Sequence, residues 1–504
     1  MVSAGEGLLI GVDQGTTNTK AVLVDRAGRV LHQTSRPVAT QAPQPGWVEQ
    51  DAARMLDNVV DCVREVLAAA GQPAVAGLGI ANQTETLVVW DRQTGEPVMP
   101  AIVWQCRRGD AEIRELRNER TAALIRAKTG LDLDPTFTAC KLAWLFRNRP
   151  AIAEGLRRGD HLFGTVDCWL IWKLTGGAVH ATDSSNAART MLFDINRLAW
   201  DAELFALFGL SISSLPEARR STGPFGKTTA ALFGTSIPIT AALGDQQASL
   251  FGHGCFEPAA IKATYGTGAF IWLNAGGRPD VVCGDGLLRT VAWHLDEPCY
   301  ALEGFVMYAG AILEWLAARL AIAGGGSGVV ERARQAGSSG GVILVPAFQG
   351  LAGPWWRPDA RAALVGMTES TSVGNICHAG LEAICFQVRT LLESIAGSIG
   401  RNIALLRVDG GPTRSAYLMQ LQADILQRPL AVTAFDSVTP YGAALMAGLG
   451  AGLWKDLAQL RAAMPPPQLV RPDPAGAAAH DNAYRSWRAT TDAILSLPSD
   501  RSTA

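Results

Sequence analysis

A strong net charge is missing from this sequence, and lysine is scarce. The 504 residues carry 44 basic and 46 acidic side chains, a net charge of −2 at pH 7, and only seven residues are lysine. Nucleic acids and anionic membranes attract proteins through a surplus of positive charge. We therefore expect neither as a partner.

Paired cysteines and long apolar runs are also missing. The nine cysteines are scattered and none forms a C-x-x-C pair, so we expect no zinc site. No apolar run reaches the length of a membrane span, and the first residues lack the basic-then-apolar pattern of a secretion signal. Scattered thiols in such a chain predict a cytoplasmic protein.

The P-loop spacing G-x-x-x-x-G-K-[ST] does not occur, so any nucleotide site must be built in another way. The sequence is nevertheless rich in core material, since 48% of its residues are hydrophobic. Its length exceeds the usual size of one domain. We predict two domains, comprising residues 1–250 and 251–504.

Two strand–turn–strand units lie half a chain apart. The first has apolar strands at 8–12 and 20–25 around a turn at 13–18, and the second spans 261–272. Strands and helices alternate between them, with a helix predicted at 52–70 and a strand at 75–80. This pattern predicts an α/β protein of two similar lobes with a cleft between them.

Further along the chain, helices are predicted at 307–320 and after 411, where a strand ends at residue 409. The glycine-rich segments 324–328 and 337–341 predict surface loops.

The first turn carries side chains suited to a triphosphate. Gly15 permits a tight turn, its polar neighbours offer donors, and Lys20 could place a charge on a phosphate oxygen. Asp13 could hold Mg²⁺, usually through water. An ordinary hairpin turn explains the same residues equally well.

A candidate base precedes the second turn, which spans 264–268. An alcohol nucleophile needs a positioned base in phosphoryl transfer, and Asp245 follows an apolar strand, where α/β folds place their sites. Glu85 could accept hydroxyl hydrogens while Trp104 packs on a carbon chain. The alternatives are a helix N-cap for Asp245 and core packing for Trp104.

Taken together, these segments resemble the FGGY carbohydrate kinases, and within them the glycerol kinases. The resemblance covers nearly the whole chain and rests on these segments: 13–17, 46–51, 88–91, 101–108, 141–144, 244–247, 264–268, 356–361 and 366–382. It implies two actin-like, ribonuclease-H-like lobes that close over MgATP. It also implies phosphorylation of a primary hydroxyl of a small polyol, with glycerol first.

The resemblance assigns roles to particular positions. Asp245 is the implied base and, with Asp13, the implied Mg²⁺ ligand. The implied nucleotide contacts are Gly15, Thr16, Thr17, Asn18, Lys20, Thr267, Gly310, Glu314, Gly411 and Ser415. The implied polyol contacts are Thr84, Glu85, Trp104, Thr136, Asp245, Gln246 and Phe270.

Several positions depart from the family pattern. Lys20 stands for a common arginine, Glu314 for glutamine and Ser415 for asparagine. Thr84 and Thr136 stand where glycerol kinases carry an arginine and a tyrosine, which predicts a roomier and less cationic polyol pocket.

The substrate therefore stays open at this stage. A kinase of another polyol or of a ketose, such as erythritol, threitol, a pentitol or a pentulose, is the alternative. A non-catalytic, actin-like ATP-binding protein is the more distant one. A homodimer or homotetramer is compatible with the resemblance.

Overall fold

The computed structural model describes residues 7–278, 286–433, 435 and 437–497. Cys283 lies outside these ranges. The strands are β1 (Leu8–Gln14), β2 (Asn18–Val24), β3 (Val30–Pro37), β4 (Glu49–Gln50), β5 (Val75–Asn82), β6 (Val88–Asp91), β7 (Ala101–Ile102), β8 (His161–Gly164), β9 (Ala181–Asp183), β10 (Phe193–Asp194), β11 (Ala199–Trp200), β12 (Glu217–Arg219), β13 (Ile239–Gly244), β14 (Ile261–Tyr265), β15 (Ala269–Gly276), β16 (Leu288–His294), β17 (Pro298–Val306), β18 (Ile343–Val345), β19 (Ala363–Val365), β20 (Leu406–Gly410), β21 (Leu430–Val432) and β22 (Gln468–Val470).

Helices fill most of the intervening chain. The α-helices are α1 (Ala52–Ala69), α2 (Asp110–Leu116), α3 (Glu119–Thr129), α4 (Thr138–Asn148), α5 (Pro150–Arg158), α6 (Val166–Leu174), α7 (Ser184–Ala187), α8 (Ala202–Leu207), α9 (Ala230–Phe233), α10 (Asp245–Gly252), α11 (Gly310–Arg319), α12 (Gly325–Ala336), α13 (Val373–Ile399), α14 (Ala416–Leu426), α15 (Val438–Gly450), α16 (Leu457–Ala463) and α17 (Ala477–Leu495). Short 3₁₀ helices span Gly411–Arg414 and Pro474–Gly476.

The first sheet has the strand order β13-β5-β1-β2-β3. Its β1, β2 and β3 form an antiparallel meander, whereas β5 runs parallel to β1 and β13 runs parallel to β5. Every residue of β1 is buried, as its unbroken apolar run suggests for a strand covered on both faces. The three parallel strands therefore end at the same edge of the sheet.

Helices cover both faces of this sheet. α1 packs against β2 and β3, and α15 packs against β1, β5 and β13. Two glycines allow the close approach of α15: a Cβ on Gly11 would lie 1.8 Å from the carbonyl oxygen of Pro440, and one on Gly79 would lie 2.0 Å from that of Ala443. No side chain fits at either position, so the contact depends on bare backbone.

The second sheet has the order β16-β17-β15-β14-β20-β21-β22. β14, β20 and β21 are parallel neighbours, so they too end at one edge. The long helix α13 packs against this sheet. It begins at a reciprocal capping box, in which Ser372 and Asn375 each bind the other's backbone N–H.

One apolar cluster joins the two sheets. It includes Leu9 of β1, Phe251 of α10, Trp272 of β15 and Leu445 of α15, all buried. The described strands of the first sheet precede residue 250 and those of the second follow it. The domain limits 1–250 and 251–504 stay a prediction. The helix α15 comes from the second half of the chain but packs on the sheet formed by the first half.

Two local predictions are wrong. Residues 325–328, expected in a loop, form the first turn of α12, because Gly324 has a φ of +86° and redirects the chain at the N-cap. The helix expected from residue 307 begins at Gly310 instead. The N–H of Ala309 and of Gly310 donate to the turn around Thr267, which holds the preceding residues out of the helix. Among the described helices, none is long and apolar enough to span a bilayer.

Candidate active site

The carboxyl ends of β1, β5 and β13 bring three polar segments together. In the register of the first sheet, Gln14 and Gly244 both lie opposite Asn82. Asp13, near the end of β1, therefore lies beside the loop after β5 that carries Glu85. Asp245 follows β13, which borders β5 on its other side. This is the edge at which α/β sheets place their sites.

The turn after β1 is held by a ring of side chains. The Thr16 hydroxyl donates to Gln83 Oε1 at 3.1 Å and accepts from the indole N–H of Trp104 at 2.8 Å. Gln50 donates to the Thr16 carbonyl and accepts from Gln83. Because this hydroxyl is engaged inside the protein, the backbone N–H of Thr16 is the donor left for a phosphate.

The rest of the first turn opens outward. Thr17 is exposed, and Gly15 and Asn18 close the turn with a bond from the Gly15 N–H to the Asn18 carbonyl. The backbone N–H groups of Thr16 and Thr17 donate to no described residue. Such unpaired N–H groups in one turn form a concavity suited to anionic oxygens.

Two carboxyl groups lie near each other at the sheet edge, Asp13 buried and Asp245 partly buried. Burial raises the pKa of Asp13 to about 7, and Lys20, opposite Asp13 in β2, acts to lower it. Burial, helped by the charges of Asp13 and Glu85, raises the pKa of Asp245 to about 7. Gly244 is the N-cap of α10 and Asp245 is its first residue. Asp245 is thus not the helix cap, and a carboxyl group with this pKa can accept a proton near neutral pH.

The pair also fits a divalent cation. Asp13 Oδ1 is buried and has no hydrogen-bond partner among the described residues, and the negative charge of Asp245 lies beside it. No group of three or more His, Cys, Asp and Glu side chains in the described ranges could hold a metal ion. One or two carboxylates completed by water and phosphate oxygens are the usual protein ligands of Mg²⁺.

Among the polyol candidates, Glu85 is buried and has a left-handed φ of +65°. The Thr84 hydroxyl donates to Glu85 Oε2 at 2.6 Å, and Arg189 Nε donates to Oε1 at 2.7 Å. A buried cation therefore lies at this carboxylate. The prediction of a pocket less cationic than in glycerol kinases, made from position 84, stays a prediction. Arg189 is a cation beside Glu85 to which the sequence gave no role.

The other polyol candidates differ in what they can do. Gln246 Oε1 accepts from Lys262 at 2.6 Å, which leaves its amide N–H groups to face a ligand. Phe270 packs on Phe305, with ring centroids 4.6 Å apart. The Thr136 hydroxyl donates to Asp134 at 2.6 Å. Thr136 therefore supports its own turn instead of presenting a free donor.

The second Gly/Thr turn is joined to α11. The Thr267 carbonyl accepts from Ala309 and Ala311, and the Gly266 carbonyl accepts from Gly310. A Cβ on Gly310 would lie 2.6 Å from that carbonyl oxygen, so the position requires glycine. The N–H of Thr267 donates to no described residue and, like those of the first turn, is left for an anion.

The remaining nucleotide candidates border the same edge of the second sheet. Gly410 lies opposite Tyr265 in the parallel register, and Gly411 beyond it is exposed with open space around its Cα. The Ser415 hydroxyl caps α14 by accepting from Leu418. Glu314 is exposed, and its carboxylate accepts from the N–H of Gly326 in α12.

A second polar network was missed from the sequence. Lys262 is fully buried and binds Thr264, whose hydroxyl donates to Asp409, and His253 lies 3.2 Å from the same carboxylate. Burial lowers the pKa of Lys262 to about 8. A charged residue inside an apolar strand was the available signal for Lys262, and the same signal applied to Arg189 in the apolar stretch 187–193.

Known families account for both halves of the chain. Residues 8–252 match the FGGY family of carbohydrate kinases, N-terminal domain, and residues 261–451 match the C-terminal domain of that family. The chain is 45% identical over 449 residues to a protein of Geobacter sp. (strain M21) named glycerol kinase, covering 88% of this chain and 90% of that one.

Solved structures show the same two-lobed arrangement. The structure of Plasmodium falciparum glycerol kinase with ADP superposes with a TM-score of 0.91 at 32% identity, covering 98% of this chain and 99% of that one. Xylulose kinase from Rhodospirillum rubrum gives a TM-score of 0.83 at 27% identity, covering 97% and 99%. The predicted two-lobed α/β fold is confirmed.

Proposed function

Because the chain belongs to the FGGY family of carbohydrate kinases, we propose that it transfers phosphate from ATP to a primary hydroxyl of glycerol, giving glycerol 3-phosphate. The observation that carries this proposal is the edge of the first sheet, where Asp13 and Asp245 lie beside Glu85 and the first Gly/Thr turn. Gln246, next to Asp245, is joined through Lys262 to Thr264 at the second Gly/Thr turn. Likeness to proteins named glycerol kinase over about nine tenths of the chain supports the choice of acceptor.

Asp245 is the proposed general base. Its partly buried carboxylate, with a pKa of about 7, would take the proton of the attacking hydroxyl as the new O–P bond forms. Gln246, held by Lys262, and Glu85, held by Thr84 and Arg189, would fix the polyol so that one hydroxyl points at the transferred group.

The two turns are the proposed phosphate cradle, through the unpaired N–H groups of Thr16, Thr17 and Thr267. Asp13 and Asp245 would hold Mg²⁺, which supplies charge neutralisation on the phosphate oxygens. Gly411, with open space around it, would leave room for the nucleotide, and Gly310 lets α11 approach the second turn closely.

A cytoplasmic site of action is part of the proposal. None of the eight cysteines that the structure describes is in a disulfide, which suits a reducing compartment. A homodimer or homotetramer stays a prediction.

A longer acceptor is the second candidate, favoured by one observation. Thr84 and Thr136 are shorter than the arginine and tyrosine that the family pattern places there. Both hydroxyls donate to protein carboxylates, so neither is left to replace the missing donor. A four- or five-carbon polyol or ketose would fill the space that these short side chains leave.

A substrate panel decides between the acceptors. ADP formation by the purified chain would be followed with glycerol, dihydroxyacetone, erythritol, threitol, pentitols and xylulose. We expect the highest kcat/KM for glycerol. A higher value for a longer acceptor would identify the second candidate, and ATP binding without turnover of any acceptor would indicate a non-catalytic protein.

The base assignment has its own test. Asp245→Asn should lower turnover by about 10²–10⁴-fold while ATP binding, measured by calorimetry, stays close to wild type. Asp167→Asn is the matched control, because the pKa of Asp167 is likewise raised to about 7 by burial, but this residue lies in α6, bound to Thr165 and Thr182. Turnover retained in Asp245→Asn would refute the assignment.

A further inference from the structure

Arg189 links the two sheets at the polyol end of the cleft. It follows α7, and its guanidinium lies between two carboxylates: Nε donates to Glu85 Oε1 and Nη1 donates to Glu303 Oε2, both at 2.7 Å. Glu85 follows β5 of the first sheet, and Glu303 lies in β17 of the second. One side chain therefore ties the proposed polyol-binding carboxylate to the opposite lobe.

The surroundings of Arg189 leave its guanidinium little freedom. The side chains of Arg189 and Glu85 are each 6% exposed, and that of Glu303 is 10% exposed. The rings of Phe137 and Trp272 lie 5.4 Å and 5.7 Å from the guanidinium carbon. A planar fork with aromatic rings around it holds its two bonds in fixed directions.

The local charges explain why this cation is needed. Glu85 and Glu303 act on each other as like charges inside the protein, and Arg189 is the only described residue that forms an ion pair with Glu303. Burial raises the pKa of Glu303, and Arg189 opposes that rise. Two other buried cations lie nearby, and neither donates to these carboxylates. Lys262 donates to Gln246 and Thr264, and Lys141 donates to backbone carbonyls of its own turn. Without Arg189, Glu85 would lose its ion-pair partner while the like charge of Glu303 remained nearby.

The second oxygen of Glu85 is fixed as well, by the 2.6 Å bond from Thr84. Both oxygens of the Glu85 carboxylate are therefore oriented by hydrogen bonds within the protein. The lone pairs that these bonds leave free have fixed directions in which a ligand hydroxyl can donate. We propose that Arg189 is the positioning residue of the polyol site, and that it presents Glu85 to the acceptor hydroxyls by clamping it to Glu303. The proposal rests on the polyol kinase function proposed above.

Steady-state kinetics of three variants test it. Arg189→Met removes the clamp, Arg189→Lys keeps the charge without the fork, and Glu303→Gln weakens the anchor on the second sheet. We expect Arg189→Met to raise the KM for the polyol at least about tenfold while the KM for ATP changes less than about twofold. Arg189→Lys and Glu303→Gln should give intermediate rises.

Arg389→Met is the matched control. Arg389 also bridges two carboxylates, Glu393 and Asp481, beside the ring of Tyr484, but it joins α13 to α17 outside the cleft. It should lower the melting temperature without a selective effect on the polyol KM. If Arg189→Met does not fold, the polyol KM values of Arg189→Lys and Glu303→Gln test the proposal.

Each outcome is decisive. A selective rise in polyol KM across the Arg189 and Glu303 variants supports the clamp. A polyol KM within about twofold of wild type in a folded Arg189 variant, or equal changes in both KM values, overturns it. Wild-type turnover on a polyol other than glycerol would overturn only the proposed substrate, and the same variants are then measured on that polyol. A wild-type chain that phosphorylates no acceptor overturns both proposals.

Discussion

Thr84→Val separates two roles that a hydroxyl could have in the polyol site. In the structure Thr84 donates to Glu85 Oε2 at 2.6 Å and is itself buried. Valine keeps both branches of the side chain, including the methyl group that packs close to Gly244. The substitution therefore removes one hydrogen bond with little change of shape.

The magnitude follows from the charge and burial of the acceptor. A hydrogen bond to a charged group contributes about 1.5–3 kcal/mol, and a buried oxygen that loses its donor also loses the compensation for its desolvation. Arg189 still binds the other oxygen of Glu85, so we expect the lower half of this range. The KM for the polyol should rise about tenfold to fortyfold, with the KM for ATP nearly unchanged.

Thr136→Val provides the internal comparison. The Thr136 hydroxyl makes a bond of the same length, but its partner Asp134 has a side chain that is 41% exposed. Water can replace the lost donor there, so the polyol KM should stay within about threefold of wild type. Both variants would be assayed with saturating ATP over a range of polyol concentrations, with melting temperatures as a folding check.

Two results would contradict this reasoning. An unchanged polyol KM in Thr84→Val would mean that the bond to Glu85 does not orient the carboxylate for the ligand. A larger effect from Thr136→Val than from Thr84→Val would mean that Thr136 turns away from Asp134 and contacts the acceptor itself.

Four further predictions concern stability or nucleotide binding. The raised pKa of Asp245 means that the folded state binds its proton more tightly than the unfolded state, so the cost of its charge grows as pH rises from about 4 to 7. Asp245→Asn should therefore raise the free energy of unfolding of the apoprotein by up to about 4 kcal/mol at pH 8 but by less than half of that at pH 5. Melting curves at both pH values would check this. Gly410→Ala should lower the melting temperature by several degrees, since Gly410 has a φ of +103° and a Cβ would lie 2.0 Å from the Tyr265 carbonyl oxygen. Gly411→Ala, in open space, should leave the melting temperature unchanged and act on the KM for ATP if Gly411 borders the nucleotide. Ser415→Ala should cost about 1 kcal/mol through loss of the α14 cap, and a rise in ATP KM beyond that would indicate direct contact with the nucleotide.

Much of the fold was predictable because its signals are local. The strand–turn–strand units at the start of each half need only apolar runs interrupted by glycine and threonine. The position of Asp245 at a strand end likewise follows from the apolar residues immediately before it. The loop prediction for the segment after Gly324 is wrong because it also used only local signals. The glycines there favour a loop, but packing of α12 against α11 and α13 stabilises a helix.

The clamp at Glu85 was beyond local inference. Arg189 lies 104 residues from Glu85 and 114 residues from Glu303 in sequence, and no periodicity connects the three. Lys262 is similar, because the strand pattern predicts its burial but not the acceptors that compensate its charge. Such pairs become visible only when the sheets are placed against each other.

The threonine at position 84 shows how contacts between residues far apart in sequence affect the inference of a substrate. In the sequence it marks a missing donor, which suggests a pocket that has lost positive charge. In the structure the same hydroxyl and the guanidinium of Arg189 occupy the two oxygens of Glu85, so the carboxylate is more constrained than the threonine alone implies. Relative to the arginine of the family pattern, Thr84 is shorter and uncharged, although Arg189 places a cation at Glu85. Acceptor size is therefore the property that the departure at position 84 should alter, and polyols of increasing length are the probes that would detect it.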